Sequence, residues 1–189
     1  MKIYYILKKG FHCYPPCLAQ VLYLNDMGLD IEVYHGEESE EIVKIFNQRH
    51  IKHHTLTSDR KNSTSFQSAV TMLAYKKEIT RVVSKIPKTD LIWYGNCESA
   101  MALGDSILSH SFVLSVLELY DRNSLYDKFL KKYINYAKLV LCCETHRAQI
   151  MKVYYSLKKD PFVLPNKPYE LIDKLNEDAL SKDVKEKIA

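Results

Sequence analysis

Lys2-Ile3-Tyr4-Tyr5-Ile6-Leu7-Lys8, near the start of the chain, is the stretch whose reading decides the fold. Its apolar and aromatic residues run consecutively between two lysines and leave no polar face. A strand covered on both faces has this pattern, whereas a strand with one wet face alternates. The next loop, Lys9-Gly10-Phe11-His12-Cys13-Tyr14-Pro15-Pro16, ends in prolines suited to a first helical turn. Spacing then predicts a helix over 16–27, with Gly28 at its C-cap, and a β-branched, aromatic strand over 31–35.

The alternation continues. A helix is predicted over 39–49, with Ser39 as N-cap and Glu40 and Glu41 complementing the helix dipole. A strand over 53–57 and a polar loop over 58–63 lead to a long helix over 65–85. Thr64 and Gln67 have the capping-box spacing, Phe66, Ala69, Val70, Leu73, Val82 and Ile86 give an apolar face, and Pro87 stops the helix. Strands over 90–94, 110–119, 139–143 and 161–164 then alternate with helices over 98–108, 124–136 and 145–157, the last with Thr145 as cap. The 110–119 run (HSFVLSVLEL) is the most apolar and is expected to be central.

Sustained alternation of this kind implies an α/β fold, a doubly wound, mostly parallel sheet with helices on both faces. Residues 1–168 are expected to form one Rossmann-like domain, and 169–189 a charged, helical tail or linker. Ligands in such folds sit at the carboxyl ends of the strands. That directs attention to Gly10 to Cys13, Gly36, Gly95 to Cys97, Glu118 to Asp121, and Glu144.

The chain has 189 residues, enough for one full core, with 47% hydrophobic and 26% charged residues and a net charge of +4. The weak positive balance gives no case for nucleic acid and is compatible with anionic substrates or an anionic membrane surface. Five cysteines, none at Cys-x-x-Cys spacing, read as reduced thiols. No window approaches the ~20 apolar residues of a membrane helix. A cytoplasmic protein is expected, at most peripheral to a membrane. The loop after the first strand is neither Gly-x-Gly-x-x-Gly nor a P-loop, which disfavours an ordinary dinucleotide or ATP site. No cofactor and no metal are expected. His50, His53 and His54 lack a matching framework, and adjacent histidines on a strand point to opposite faces.

Three stretches in order carry a resemblance. The first is Gly10-Phe11-His12-Cys13-Tyr14-Pro15-Pro16 followed by Leu22-x-Leu24-Asn25-x-Met27-Gly28. The second is Ser115-Val116-Leu117-Glu118-Leu119-Tyr120-Asp121. The third is Ala137-Lys138-Leu139-Val140-Leu141 through Cys143-Glu144-x-x-Arg147, then Val163-Leu164-Pro165-Asn166-Lys167-Pro168. Together they resemble the N-terminal, acceptor-side domain of GT-B fold glycosyltransferases of the family 4 type. The resemblance implies a hexosyltransferase-like enzyme acting in polysaccharide biosynthesis, which moves a sugar from a nucleotide-sugar to a glycan or lipid-linked acceptor. It also implies a second, C-terminal lobe that holds most of the donor, so that this chain alone is expected to be inactive. A different reading is a non-catalytic Rossmann-like module that pairs with a separate donor-binding chain.

The resemblance places Glu118 near the acceptor hydroxyl, to orient or deprotonate it. Read as a residue, a carboxylate closing an apolar strand is either in a cleft or paired to a helix N-terminus. Leu117 stands where the family often has histidine. Gly10, Phe11 and His12 come after the first strand as substrate-binding candidates, although Gly10 is also explained by a positive φ and His12 by a solvated loop. Asn96 and Glu98 suit sugar hydroxyls, beside Trp93 or Tyr94, and Asn96 is equally an N-cap. Glu144 and Arg147 match positions lining the family's cleft, or form an exposed pair three residues apart. The stretch over 124–136 is basic and amphipathic, fit to lie on an anionic bilayer or to pack on the sheet.

Overall fold

The computed structural model describes residues 1–57, 65–166 and 169. Its seven strands are β1 (Ile3–Leu7), β2 (Ile31–His35), β3 (Lys52–Thr55), β4 (Leu91–Tyr94), β5 (Ser111–Ser115), β6 (Leu139–Cys142) and β7 (Phe162–Val163). All pair in parallel in one sheet of order β3-β2-β1-β4-β5-β6-β7. β1 is an interior strand, third from the β3 edge, with Ile3 opposite both Ile31 of β2 and Leu91 of β4. Its side chains alternate between faces, Tyr5 and Leu7 entering one cluster and Ile6 the other, and all three are fully buried. The unbroken apolar run of β1 is thus consumed by two cores.

The helices are α1 (Pro15–Asp26), α2 (Glu40–Gln48), α3 (Ser65–Lys85), α4 (Cys97–Met101), α5 (Ser124–Tyr133) and α6 (Thr145–Tyr154). α1 and α2 supply Val21 and Phe46 to one face, and α3 to α6 supply Ile79, Ala100, Leu130 and Met151 to the other. The split results from handedness. β1-α1-β2-α2-β3 winds one way along the sheet and β4 to β7 winds the other, so right-handed crossovers put their helices on opposite faces. The winding reverses between β1 and β4.

Several boundaries differ from the sequence reading. Ser39 does cap α2, its Oγ accepting from the Ile42 amide at 3.4 Å, and Gly28 takes φ +73 after α1. The cap of α6, however, is Glu144 and not Thr145: the Glu144 carboxylate accepts from the Arg147 amide at 2.9 Å. The helix expected over 98–108 is five-residue α4 and then a 3-10 turn over Gly104–Ser109, because Gly104 sits at φ +53. The strand expected over 110–119 pairs only through Ser115, with Val116 adding one bond to the Leu141 carbonyl at 2.8 Å. α6 ends at Tyr154 and Ser156 turns at φ +48, short of the expected 157. α3 buries Tyr75, Ile79, Val83 and the subsequent Ile86, while Val70 and Leu73 of the predicted face are exposed. Thr64, the 58–63 loop and the tail beyond Tyr169 lie outside the described residues.

The stretch over 124–136 packs on the sheet. Phe129, Leu130 and Tyr133 are buried, Lys131 pairs with Asp127 and Lys132 with Asp105, both at 2.8 Å, and Leu125 and Tyr136 stay exposed. Among the described residues no helix is long and apolar enough to cross a membrane. Cys17, Cys97 and Cys142 are buried, Cys143 is half-buried, Cys13 is exposed, and all five are free thiols.

Candidate functional site

A reversal of winding opens a crevice outside the carboxyl ends of the two strands on either side of it. Here those strands are β1 and β4, and the crevice is built from the segments that leave their carboxyl ends. Lys8 leaves β1 with its side chain 1% exposed, and its Nζ donates to Glu98 Oε1 at 2.8 Å. The Lys8 amide donates to Ser99 Oγ at 2.9 Å, and that hydroxyl donates to Asn96 Oδ1 at 2.6 Å. Asn96 Oδ1 also accepts from the Ser99 amide at 2.8 Å, so Asn96 caps α4. Two contacts on Oδ1 fix the amide plane and turn Nδ2 away from the helix, buried and without a hydrogen bond of its own. Asn96 is therefore the cap of α4, buried behind the residues that line the crevice, with its side chain next to Tyr14.

Tyr14 stands beside Asn96, half-buried between Glu98 and Glu118. Its hydroxyl pKa is pushed up to about 12, first by burial and then by the two carboxylates, with the Asn96 side chain acting in the opposite direction. Lys9 Nζ lies 3.5 Å from Glu98 Oε2. Opposite, the segment after β5 carries Glu118 and Tyr120, and the Tyr120 and Tyr126 rings stack at 4.7 Å and 23°. With Arg122 and Asn123 these residues enclose an open crevice of about 400 Å³.

Glu98 and Glu118, two of the residues singled out from sequence, thus line one crevice. Glu118 does so by a different route. It is exposed, three residues beyond the end of β5, so it incurs none of the desolvation that a carboxylate on the strand would.

The other candidates sit around this crevice in supporting places. Phe11 is fully buried against Tyr5 and Phe46 and offers no side chain to a ligand. Gly10 has φ −69, so a positive φ is not its reason. A Cβ there would fall 2.3 Å from the Glu37 carbonyl, and the β1 and β2 loops meet this closely only over a glycine. His12 is exposed and its Nδ1 donates to Glu38 Oε1 at 2.8 Å, while the Phe11 amide also donates to that carboxylate. The amides after β1 are therefore already satisfied by the chain's own Glu38. Arg147 is linked to Glu144 through its backbone, not as an ion pair, and its guanidinium donates to the Leu117 carbonyl and contacts Cys143 Sγ at 2.7 Å. It ties α6 to the segment that presents Glu118. Of the histidines, His53 bonds His35 at 3.1 Å and His54 bonds Glu32 at 2.7 Å, on opposite faces of β3. Among the described residues no cluster suited to a metal ion is present.

Sequence reasoning missed Lys8, Lys9, Tyr14, Arg122, Tyr126 and Glu38. Lys8-Lys9, placed directly after the most deeply buried strand, is the signal that would have found the pair.

No known protein family model matches the sequence, and no curated protein does. Solved structures match the fold. HepE of Anabaena in complex with UDP superposes with a TM-score of 0.59 at 13% identity, over 88% of this chain and 44% of that one. A glycosyltransferase of Rickettsia africae gives 0.54 at 14%, over 87% and 42%. UGT89C1 of Arabidopsis thaliana complexed with UDP-L-rhamnose gives 0.60 at 10%, over 89% and 49%. These neighbours are GT-B glycosyltransferases, and the chain has the Rossmann-like α/β fold that they contain. It spans less than half the length of each of them.

Proposed function

We propose that the chain is the acceptor-side half of a glycosyltransferase that moves a sugar from a nucleotide-sugar to a glycan or lipid-linked acceptor. The observation that carries this reading is the crevice at the β1/β4 reversal, where Glu98 and Glu118 flank Tyr14 next to the Asn96 side chain. Carboxylates and a tyrosine hydroxyl are what sugar hydroxyls hydrogen-bond, and the stacked Tyr120–Tyr126 pair supplies an apolar wall for a sugar ring. The fold supports it, since the neighbours are glycosyltransferases and two were solved with UDP or UDP-L-rhamnose.

In this reading the acceptor hydroxyl lies at the mouth of the crevice against Glu118. Its oxygen forms a bond to the anomeric carbon of the donor, the bond from that carbon to the diphosphate breaks, and the proton passes to the departing phosphate. Glu118 orients the hydroxyl, while Glu98 and Tyr14 hold the ring, with Asn96 behind them as the cap of α4. Lys9 and Arg122 put positive charge on the rim. In this reading the donor's nucleotide is held mainly by a second lobe, so the chain by itself binds UDP weakly and transfers nothing.

The test is calorimetry of the purified chain with UDP and UDP-glucose, and then turnover of a two-lobed polypeptide made by joining the chain to a donor lobe. Glu118→Gln in that polypeptide is expected to lower turnover by about 100-fold, the scale on which misplacing a reacting group acts. Sugar transfer by the chain alone, or undiminished turnover of Glu118→Gln, would remove the proposal.

A further inference from the structure

The positive charge of the chain is gathered on one flank. α5 turns Lys128, Lys131 and Lys132 outward, and α6 does the same with Lys152. Lys138, immediately before β6, and Lys158 and Lys159, shortly before β7, surround a pocket of about 160 Å³ at the amino ends of those strands. Contacts join these elements into one surface. Lys131 Nζ lies 4.7 Å from the centre of the Tyr154 ring, and the Asn135 side chain, after α5, accepts from the Lys158 amide at 3.0 Å. Three aspartates answer the seven lysines: Asp127 meets Lys131, Asp105 meets Lys132 and Asp160 meets Lys152. The excess equals the net charge of the whole chain, +4, so the rest of the sequence is neutral. Apolar side chains stand among these lysines. Ile150, Val153 and Tyr154 share the outer side of α6, where Val153 is 82% exposed, and Tyr136, two residues before Lys138, is 65% exposed.

We propose that this flank docks the protein on an anionic lipid bilayer. The type of cation is the first reason. All seven are lysine and none is arginine. Lysine is a hydrated point charge, whereas ordered phosphate and nucleic-acid recognition draws on the planar fork of arginine. Point charges spread over a surface suit the diffuse field of an anionic leaflet. The exposed aliphatic side chains are the second reason. Ile150 and Val153 gain nothing from a polyanion in water, but they gain burial at the boundary of headgroups and acyl chains. Tyrosine rings such as those of Tyr136 and Tyr154 settle at headgroup level, and lysine stems lie along apolar surface with the ammonium in the headgroups. α5 takes part only through its outer side, since its apolar side is spent on the sheet. The crevice is at the carboxyl ends of the strands, away from the lysine pocket, so the proposal is independent of sugar transfer.

Flotation of the full chain with lipid vesicles tests it. Binding is expected at low salt to vesicles of mixed phosphatidylcholine and phosphatidylglycerol, to weaken as salt is added, and to be absent with phosphatidylcholine alone. Lys138→Gln/Lys158→Gln/Lys159→Gln is expected to weaken it by about tenfold or more. Lys44→Gln/Lys76→Gln/Lys77→Gln removes the same charge from exposed positions of α2 and α3 and is expected to leave it unchanged. Val153→Ser is expected to cost about fivefold. In Val153→Trp, brominated lipid is expected to quench the added fluorescence, whereas Trp93, 8% exposed, is not quenched in the parent chain. All the substituted positions are exposed, and circular dichroism is expected to be the same throughout. No flotation with anionic vesicles overturns the proposal, and so does equal loss in the two lysine triples, which would make net charge alone the cause. Displacement by inorganic phosphate at constant ionic strength would reveal a discrete anion site instead, and tighter binding to duplex DNA than to vesicles a nucleic-acid surface. Either result refutes docking on lipid, as does an unquenched Val153→Trp.

Discussion

Lys8 carries its ammonium to the carboxyl edge of the sheet, 5.8 Å from the centre of the Tyr75 ring and against Glu98. The pair is asymmetric. Glu98 has a second cation in Lys9, whereas Lys8 is the more deeply enclosed partner, 1% against 14% exposed. Removing one member of a buried pair costs about 3–5 kcal/mol because the other charge is left in a poor medium. Glu98→Leu is therefore expected to reach that range in urea unfolding, since it strips the enclosed ammonium of its carboxylate. Lys8→Met should cost less, because Lys9 still serves Glu98, and the double variant less than Glu98→Leu alone. Equal losses for the two single variants would contradict this. Glu98 was legible from sequence because carboxylates after a strand attract notice. Lys8 was not, because a lysine closing an apolar run reads as a solvated end, and only the packing of α3 and α4 over β1 encloses it. Phe11 failed in the opposite direction: in a loop it reads as available, yet Tyr5 and Phe46 absorb its ring.

At the scale of elements, β2 and β3 hold two titrating networks on opposite faces. On one, His35 Nδ1 donates to the Gly36 carbonyl at 2.6 Å and Nε2 faces His53 Nδ1 at 3.1 Å. Burial depresses both imidazoles below 6.5; the His35 bond to Gly36 opposes this for His35, and neighbouring histidines reinforce it for both. On the other face Glu32 accepts from Lys2 at 2.7 Å, Lys52 at 3.0 Å and His54 at 2.7 Å. Burial alone would raise its pKa, but these bonds prevail and bring it from 4.5 to about 2. Linkage sets the signs. The histidines are harder to protonate folded than unfolded, so their contribution is whole above pH 6.5 and declines as pH falls through that value toward their folded pKa. Glu32 contributes fully above 4.5 and loses that contribution as pH falls toward 2. Urea midpoints should therefore fall in two separate windows. His53→Phe should flatten the upper one and Glu32→Gln the lower, and a His53→Phe protein with an unchanged upper slope would refute the assignment. Elements were legible where local chemistry sets their ends, as at Ser39 and Gly28. Where tertiary pairing sets them they were not: β5 stops pairing after Ser115 although the apolar run continues, and α4 breaks at Gly104 inside a helical pattern. The apolar face read for α3 holds at its C-terminal end, where Val82 and Ile86 meet the core, and fails at Val70 and Leu73, because a long helix with many apolar residues offers more than one stripe.

At the scale of the whole molecule, the alternation of patterns gave strand number, parallel order and layering, because each depends on periodicity and handedness alone. The composition of the crevice depended instead on which loops converge at the β1/β4 reversal, a long-range fact that brings residue 8 to residue 98 and residue 14 to residue 118. The same topology sets where the molecule is rigid. β1 is paired on both sides and buried on both faces, while β3 is an edge strand whose four residues are all exposed or half-buried. Amides that open only with the whole domain exchange slowest, and those at an edge open locally. Native-state hydrogen exchange is therefore expected to place the slowest amides in Ile3–Leu7 and Leu91–Tyr94 and far faster ones in Lys52–Thr55. The loops bearing Lys8, Lys9, Asn96 and Glu98 hang from those two slowest strands. A site mounted in this way keeps its polar groups positioned before any ligand arrives. If β1 and β4 exchanged as readily as β3, the crevice would have no rigid base, and the case for a pre-formed acceptor pocket would fail with it.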